Sequence, residues 1–467
     1  MKNQIHHALI LLVTTLLLAG CHKASDEEEL RRTIAEYHQS LEAKNFELYM
    51  AFYSKRYFSS TDERYVGRID EWKENLQQKV FDAYQKLTVR STIKSMQRMP
   101  HNYKVLESMS ITGIDSLGQE HTIWKHNNLL TTWAKNGDRW DIDNQRSLLI
   151  PSFYDSLTSH YEGRAQGGFL YVCHVTLDFV SVIDTKTNKV VGMIPCARGS
   201  DHIAFANEND VGFATSFDAN SMRLFRKSTN ERITDIPLGE QPSDVILDPG
   251  EDFVYVAHQS KDGLWVLSRR THQVVKKLPT KTGPLYWSAR ERKIYQPQIF
   301  TPFVDVFDPA RDFAFDRIEV GGRPLGLAFT PDERYAYVAN YDLNEVEKIE
   351  TSSKTVAKRI SSIPHPRGIC IDAEGHFAFI TNVTSDKLTI LDLSRDKVVD
   401  SLDTGRMPTD VVIEPAAHSV YVSNQGAGTI SVFDIATHKL TQTIPVADNP
   451  ISLRLDSGAS STKVSVK

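Results

Sequence analysis

Short runs of alternating apolar and polar residues govern the chain from residue 169 to 457, and each run returns after about forty residues. Tyr421-Val422-Ser423-Asn424 shows the pattern: an aromatic residue, an alternating strand, a polar end. Its equivalents are led by Tyr171, Phe213, Tyr255, Tyr295, Tyr337 and Phe379, so successive aromatic residues lie 42, 42, 40, 42, 42 and 42 positions apart. A second marker falls thirteen residues later, at Asp184, Arg226, Ser268, Asp308, Glu350, Asp392 and Asp434. Two markers holding one register over seven units predict propeller blades, because a helical solenoid would space its apolar residues by three and four.

Each unit reads as four strands. In the last they are strand A at Asp410–Ile413, B at Ser419–Ser423, C at Thr429–Asp434 and D at Lys439–Pro445. Turn formers such as Asp248-Pro249-Gly250 and Thr330-Pro331-Asp332 separate A from B, and Asp- and Thr-containing turns separate C from D. Gly-x-x-Pro links D to the next A at Gly239–Pro242, Gly321–Pro324 and Gly405–Pro408. The first unit starts at strand B, whereas Pro450–Leu455 is a strand A with no B behind it. The tail is therefore expected to complete the first blade, which closes the ring and removes its open edges.

Residues 26–147 follow a different rule. Ser25 and Glu28 form a capping-box pattern, after which Leu30, Ile34, Tyr37 and Leu41 share one helical face. Helices are expected at Phe46–Phe58 and Asp70–Leu87, then strands at Thr88–Met96, Tyr103–Ile111, Glu120–Ala134 and Arg139–Asn144. Helices first and antiparallel strands after make a small α+β domain. Residues 148–168 are an apolar connector, 169–457 the all-β seven-bladed propeller, and 458–467 a disordered tail.

A composition of 40% hydrophobic and 24% charged residues is that of a globular protein, and a net charge of -5 gives no sign of nucleic acid as a partner. At the start, Lys2 precedes the apolar run Ala8–Leu18, which is too short to span a bilayer. Residues 1–20 are thus expected to be a cleaved export signal. Cys173, Cys196 and Cys370 are expected to be free thiols, since strand C lies between the first two and holds them too far apart for a disulfide.

Three resemblances add to this reading. Leu18-Ala19-Gly20-Cys21 resembles the lipobox of bacterial lipoproteins, which implies an acylated Cys21, a tether over 21–25 and, with His22 next, outer-membrane lipid as a partner. The expected location is the cell envelope, on the periplasmic face of the outer membrane or the cell surface. The element order of 26–147, with its Trp133/Trp140 hairpin, is similar to the cone-shaped nuclear transport factor 2-like (SnoaL-like) family. Tyr37, Tyr53, His121, Trp124 and His126 are then candidates to line a pocket, with His126 and Asp143 as an acid/base pair; the alternative is that the aromatics are core and the histidines surface. Tyr337-Val338-Ala339-Asn340, Phe379-Ile380-Thr381-Asn382 and Tyr421-Val422-Ser423-Asn424 resemble the YVTN family of seven-bladed propellers. That family includes binding proteins, and related propellers include lactonases and electron-transfer domains.

For chemistry, the sequence holds no Cys-x-x-Cys-His for haem, no Gly-x-Ser-x-Gly and no nucleotide loop, and its histidines lack ligand spacing, so no cofactor and no metal are expected. In a four-stranded meander the D–A and B–C connections leave on one side. One mouth therefore collects Arg198, His202, His258, Tyr286, Arg323, His365, Arg367, Arg406 and Asp410, together with Asp244 and the strand-end residues His174, Asn340, Tyr341, Asn382 and Asn424. Arginines and histidines around a funnel suit an anionic small molecule, an acidic glycan or an envelope protein. The asparagines are equally explained as turn caps, and the arginines as partners of nearby aspartates. The expected function is a non-catalytic binding lipoprotein. A lactonase-like hydrolase and a structural part of an outer-membrane assembly are the alternatives.

Overall fold

Seven four-stranded antiparallel sheets follow one another from residue 169 to 456 in the computed structural model, which describes residues 26–53, 73, 76–99, 102–137, 139–147, 168–197, 199–206, 210–250 and 252–456. The leader, Cys21, Ser25, the connector, Arg198 and the tail lie outside the described residues, as do the side chains of Trp124 and His126. The chain divides at Leu148/Leu149 into two units.

In the second unit strand B is central to each blade and buried along its length, which is why its register residue is a large ring: all seven aromatic markers are at most 1% exposed. Clusters pair adjacent blades, as where Tyr295, Val304 and Ile318 meet Leu327, Ala336 and Ile349. Buried phenols generally find a partner, and two of these reach the neighbouring blade for it. Tyr337 donates to Asp396 Oδ1 at 2.9 Å, and Tyr421 to Asn188 Oδ1 at 2.7 Å. The Tyr421 bond joins the last blade to the first.

The expected closure is present. The final strand, β32 (Pro450–Asp456), pairs with β5 (Phe169–His174) from Pro450↔His174 to Asp456↔Phe169, so sheet order in that blade is β32-β5-β6-β7, with β6 at Phe179–Asp184 and β7 at Lys189–Pro195. One backbone feature recurs in all seven C–D turns. The residue four after each marker, Asn188, Asn230, His272, Asp312, Lys354, Asp396 or His438, has φ between 49° and 61°. Most are Asn, Asp or His, which tolerate that region best.

The polar residue that ends strand B is also repeated: His174, Ser216, His258, Gln298, Asn340, Asn382 and Asn424 are all fully buried. These side chains latch loops to the sheet. Asn340 Nδ2 donates to Gly321 O (2.8 Å), Asn382 Nδ2 to Pro364 O (2.9 Å) and Ser216 Oγ to Ala197 O (3.1 Å). Many also reach the strand C residue seven positions on, as in His174–Ser181 (2.7 Å), Asn382–Thr389 (2.7 Å) and Asn424–Ser431 (2.9 Å). Where that residue is charged, strand D supplies the opposite charge directly across: Arg223–Asp235 (2.7 Å), Arg317–Asp305 (2.7 Å) and Arg359–Glu347 (2.9 Å).

In the first unit, helix α1 (26–42) buries Leu30, Ile34, Tyr37 and Leu41, and β1 (Lys86–Arg98), β2 (Asn102–Ile114), β3 (Glu120–Asn136) and β4 (Arg139–Ser147) form one antiparallel sheet in chain order. The expected second helix is shorter: α2 spans Phe46–Ala51, because Phe52 O accepts from Ile142 N (2.6 Å) and Tyr53 bridges to Ile142. The expected third helix does not reach Leu87. A π-helical turn at Gln77–Asp82 is followed by β1 from Lys86. The hydroxyls of Tyr37, Tyr49 and Tyr53 bond one another at 2.8–3.1 Å, and Tyr37 meets Trp133 edge-on at 5.8 Å. Tyr37 and Tyr53 are thus core, while His121 pairs with Asp115 at the surface (2.9 Å).

Candidate functional site

Six of the seven strands A begin with a register shift. Against strand B, the unmatched residues are Asp201 and His202 in β8 (Ser200–Phe205), Ser243 in β12 (Pro242–Leu247), Leu325 in β20 (Pro324–Phe329), Arg367 and Gly368 in β24 (Pro366–Ile371), Thr409 in β28 (Pro408–Glu414) and Ile451 in β32. A bulge turns its extra residue out of the ladder. Here it turns every one of them into a central chamber of about 160 Å³, which Asp244, Tyr286 and Asp410 also line. Strand B hydroxyls satisfy the displaced backbone in the same way in three blades: His202 N donates to Thr215 Oγ1 (3.0 Å), Gly368 N to Thr381 Oγ1 (2.8 Å) and Asp410 N to Ser423 Oγ (3.0 Å). Gly326 and Gly368 let neighbouring strands close up, since a Cβ on Gly326 would stand 2.2 Å from Arg367 O and one on Gly368 2.8 Å from Thr409 O. A second cavity of about 240 Å³ shares His202, Asp244, Tyr286 and Asp410 with the chamber.

The charged residues of the chamber fall into two kinds. Asp244 and Asp410 stitch blades together: Asp244 accepts from Val245 N and Leu285 N (both 2.7 Å), and Asp410 from Val411 N and Leu453 N (both 2.8 Å). Asp201, His202 and Arg367 are less committed. His202 Nδ1 lies 3.5 Å from Asp201 Oδ1, and the His202 side chain is 35% exposed. Arg367 makes no hydrogen bond or ion pair among the described residues.

Burial sets the titration here. It would push His202 down, but Asp244, Asp201 and Asp410 outweigh it and hold the imidazole up at about 10, so it is cationic at neutral pH. Burial raises Asp410 against its backbone amides and the His202 charge, and lowers Arg367 against the pull of Asp201 and Asp410. Burial also raises Tyr286. Among the described residues no cluster of three His, Cys, Asp or Glu is placed to hold a metal ion.

Of the nine mouth residues read from the sequence, His202, Tyr286, Arg367 and Asp410 come together in the chamber. The others do not. His258 is turned into its blade, with Nδ1 3.0 Å from Gly263 O, and burial lowers its titration. Arg323 stays on the lip, 3.0 Å from Asp342 and stacked 4.3 Å over Tyr341. His365 meets the same ring at 4.8 Å and bonds Thr384 Oγ1 at 2.8 Å. Arg406 donates to Gly426 O. Arg198 lies outside the described residues. The physical reason is position relative to proline. Arg323, His365 and Arg406 precede the proline that opens strand A and belong to the turn, whereas Arg367, Asp244 and Asp410 follow it, Arg367 in the bulge and the two aspartates as the first paired residues after it. Asp201, Ser243 and Thr409 were not singled out, although the one or two positions after each such proline would have found Ser243 and Thr409.

A family model described as lactonase, seven-bladed beta-propeller, matches residues 321–453. No curated protein matches. Among solved structures, the periplasmic gluconolactonase PpgL of Pseudomonas aeruginosa is 18% identical with a TM-score of 0.53, over 62% of this chain and 99% of that one. Kuenenia stuttgartiensis hydrazine synthase is 18% identical with a TM-score of 0.52, over 58% and 94%. A functionally unknown protein from Desulfotomaculum acetoxidans is 15% identical with a TM-score of 0.55, over 62% and 99%. The C-terminal region therefore has the seven-bladed propeller fold of the lactonase family, and at these identities the likeness to solved structures is one of fold alone.

Proposed function

We propose that this chain is an envelope lipoprotein, tethered through Cys21 to the outer membrane, whose propeller binds a small ligand carrying an anionic group in its central chamber without transforming it. The observation that carries the reading is Arg367: a half-buried guanidinium lining the chamber, facing no counter-ion within ion-pair distance among the described residues. Such a group is a ready receptor for a carboxylate or phosphate. The test is calorimetry on the full chain with short carboxylates and inorganic phosphate. Binding should vanish in Arg367→Ala and persist in Arg323→Ala and Arg406→Ala, whose side chains sit on the lip. Equal loss in all three variants would instead place the ligand across the mouth.

Lactone hydrolysis is the second reading, favoured by the lactonase match over 321–453, which includes Arg367 and Asp410. Opening a lactone with water to the hydroxy acid needs a base for the water proton. His202, held cationic by three carboxylates, is unsuited to that role and would serve only to polarise a carbonyl. Acid release from glucono-δ-lactone above the spontaneous rate, abolished by Arg367→Ala, would displace the binding reading.

A further inference from the structure

The chamber holds a cation and an anion that do not pair with each other. Among the described residues Arg367 has no ion-pair partner, and Asp201 is paired only with His202, at 3.5 Å, longer than a good charged hydrogen bond. The remaining carboxylates are occupied, since both oxygens of Asp244 and of Asp410 accept backbone amides at 2.7–2.8 Å. Among the described residues that line the chamber, three carboxylates (Asp201, Asp244, Asp410) against two cations (Arg367, His202) leave one negative charge in excess. A simple anion seated on Arg367 would take that excess to two. A ligand bringing an ammonium with its carboxylate leaves it unchanged and meets both Arg367 and the loosely paired Asp201.

We propose that the ligand is a small zwitterion, its carboxylate held by Arg367 and its ammonium by Asp201. This rests on the chamber being the binding site. The size agrees: a chamber of about 160 Å³ matches the roughly 150 Å³ at which a protein cavity accepts a molecule as large as benzene, which is room for a small amino acid. Two opposite charges at fixed positions also select by the spacing of charges within the ligand. Affinity should therefore peak at one chain length.

The experiment is isothermal titration of the full chain with glycine, β-alanine and γ-aminobutyrate, against acetate, propionate and butyrate and the matching alkylamines. The best zwitterion should bind about tenfold or more tightly than the alkanoate and the amine of its length, as expected from one added charged hydrogen bond. Asp201→Asn should remove that advantage and leave alkanoate binding in place, and Arg367→Ala should remove both. Alkanoates that bind as tightly as their amino counterparts would overturn the zwitterion inference and leave the anion reading standing. No Arg367-dependent binding in either series would overturn both. The wild-type series decides the matter alone should Asp201→Asn fail to fold.

Discussion

Truncating Asp410 to alanine removes the acceptor of two amides, Val411 N and Leu453 N, both 2.8 Å from its oxygens. Leu453 belongs to β32 and is 5% exposed, so water cannot readily replace the lost bond. Each buried amide left without a partner costs about 1–3 kcal/mol, roughly 2–6 kcal/mol together. Against that, the variant no longer buries a carboxylate whose charged form burial disfavours. We expect a net loss of about 3 kcal/mol, which for a domain of this size lowers the melting temperature by roughly 6–12 °C. The assay is a thermal melt followed by far-ultraviolet circular dichroism. Asp244→Ala is the internal comparison, because it breaks the same two bonds, to Val245 N and Leu285 N, between blades that consecutive chain already joins. Both aspartates tie blades that consecutive chain also joins, but Leu453 lies in β32, which closes the ring only by pairing with β5, so the Asp410 variant should also unfold faster than Asp244→Ala. A melting point within 2–3 °C of wild type would refute the stitching role.

Three more predictions concern titration. His202 should remain protonated until about pH 10, losing its contribution to stability only as pH rises through that value, and Asp244→Asn should bring its titration down; the imidazole proton resonances report both. Burial, against the pull of Arg359, raises Glu347 to about 7 from the 4.5 of the unfolded chain. The folded state then binds the extra proton, so wild type should lose up to about 3 kcal/mol relative to Glu347→Gln between pH 4.5 and 7, and a difference independent of pH would count against this. Burial pushes the Cys173 thiol up to about 12 and raises Cys196 as well, so neither should react with iodoacetamide at pH 8 until urea is added.

The propeller was legible because its information is local and repeated. A ring at each strand B and a turn marker thirteen residues later fix blade count, strand register and even the role of Pro450–Leu455. The chamber was half legible, since a bulge one or two residues long decides which neighbour of a proline points inward. Arg367 and Arg323 are the same residue type only two columns apart in the repeat, yet they stand on opposite sides of that proline, and a slip of one residue changes the face a side chain occupies. Asp201 and His202 belong to the blade in which Ser200 replaces the proline, so the punctuation that would have placed them is missing. His258 shows the reverse error. Every strand B ends in a buried polar side chain because a loop must be latched there, and a histidine suits that task without being a ligand. In the first unit the helices were overextended, because apolar periodicity cannot reveal that Phe52 and Tyr53 are claimed by β4.

Gly168 N donates to Asp456 O at 3.2 Å, at the edge of the ring where strand A passes to strand B and away from the loops that frame the chamber. The two ends of the propeller are thus a hydrogen bond apart. A short peptide could join them, and the ring could be reopened in any exposed C–D hairpin, giving a circular permutant with its seam moved to another blade. In such a molecule seven-fold repetition would be tested directly: the blade that now depends on β32 would become continuous, and a different one would inherit the joint.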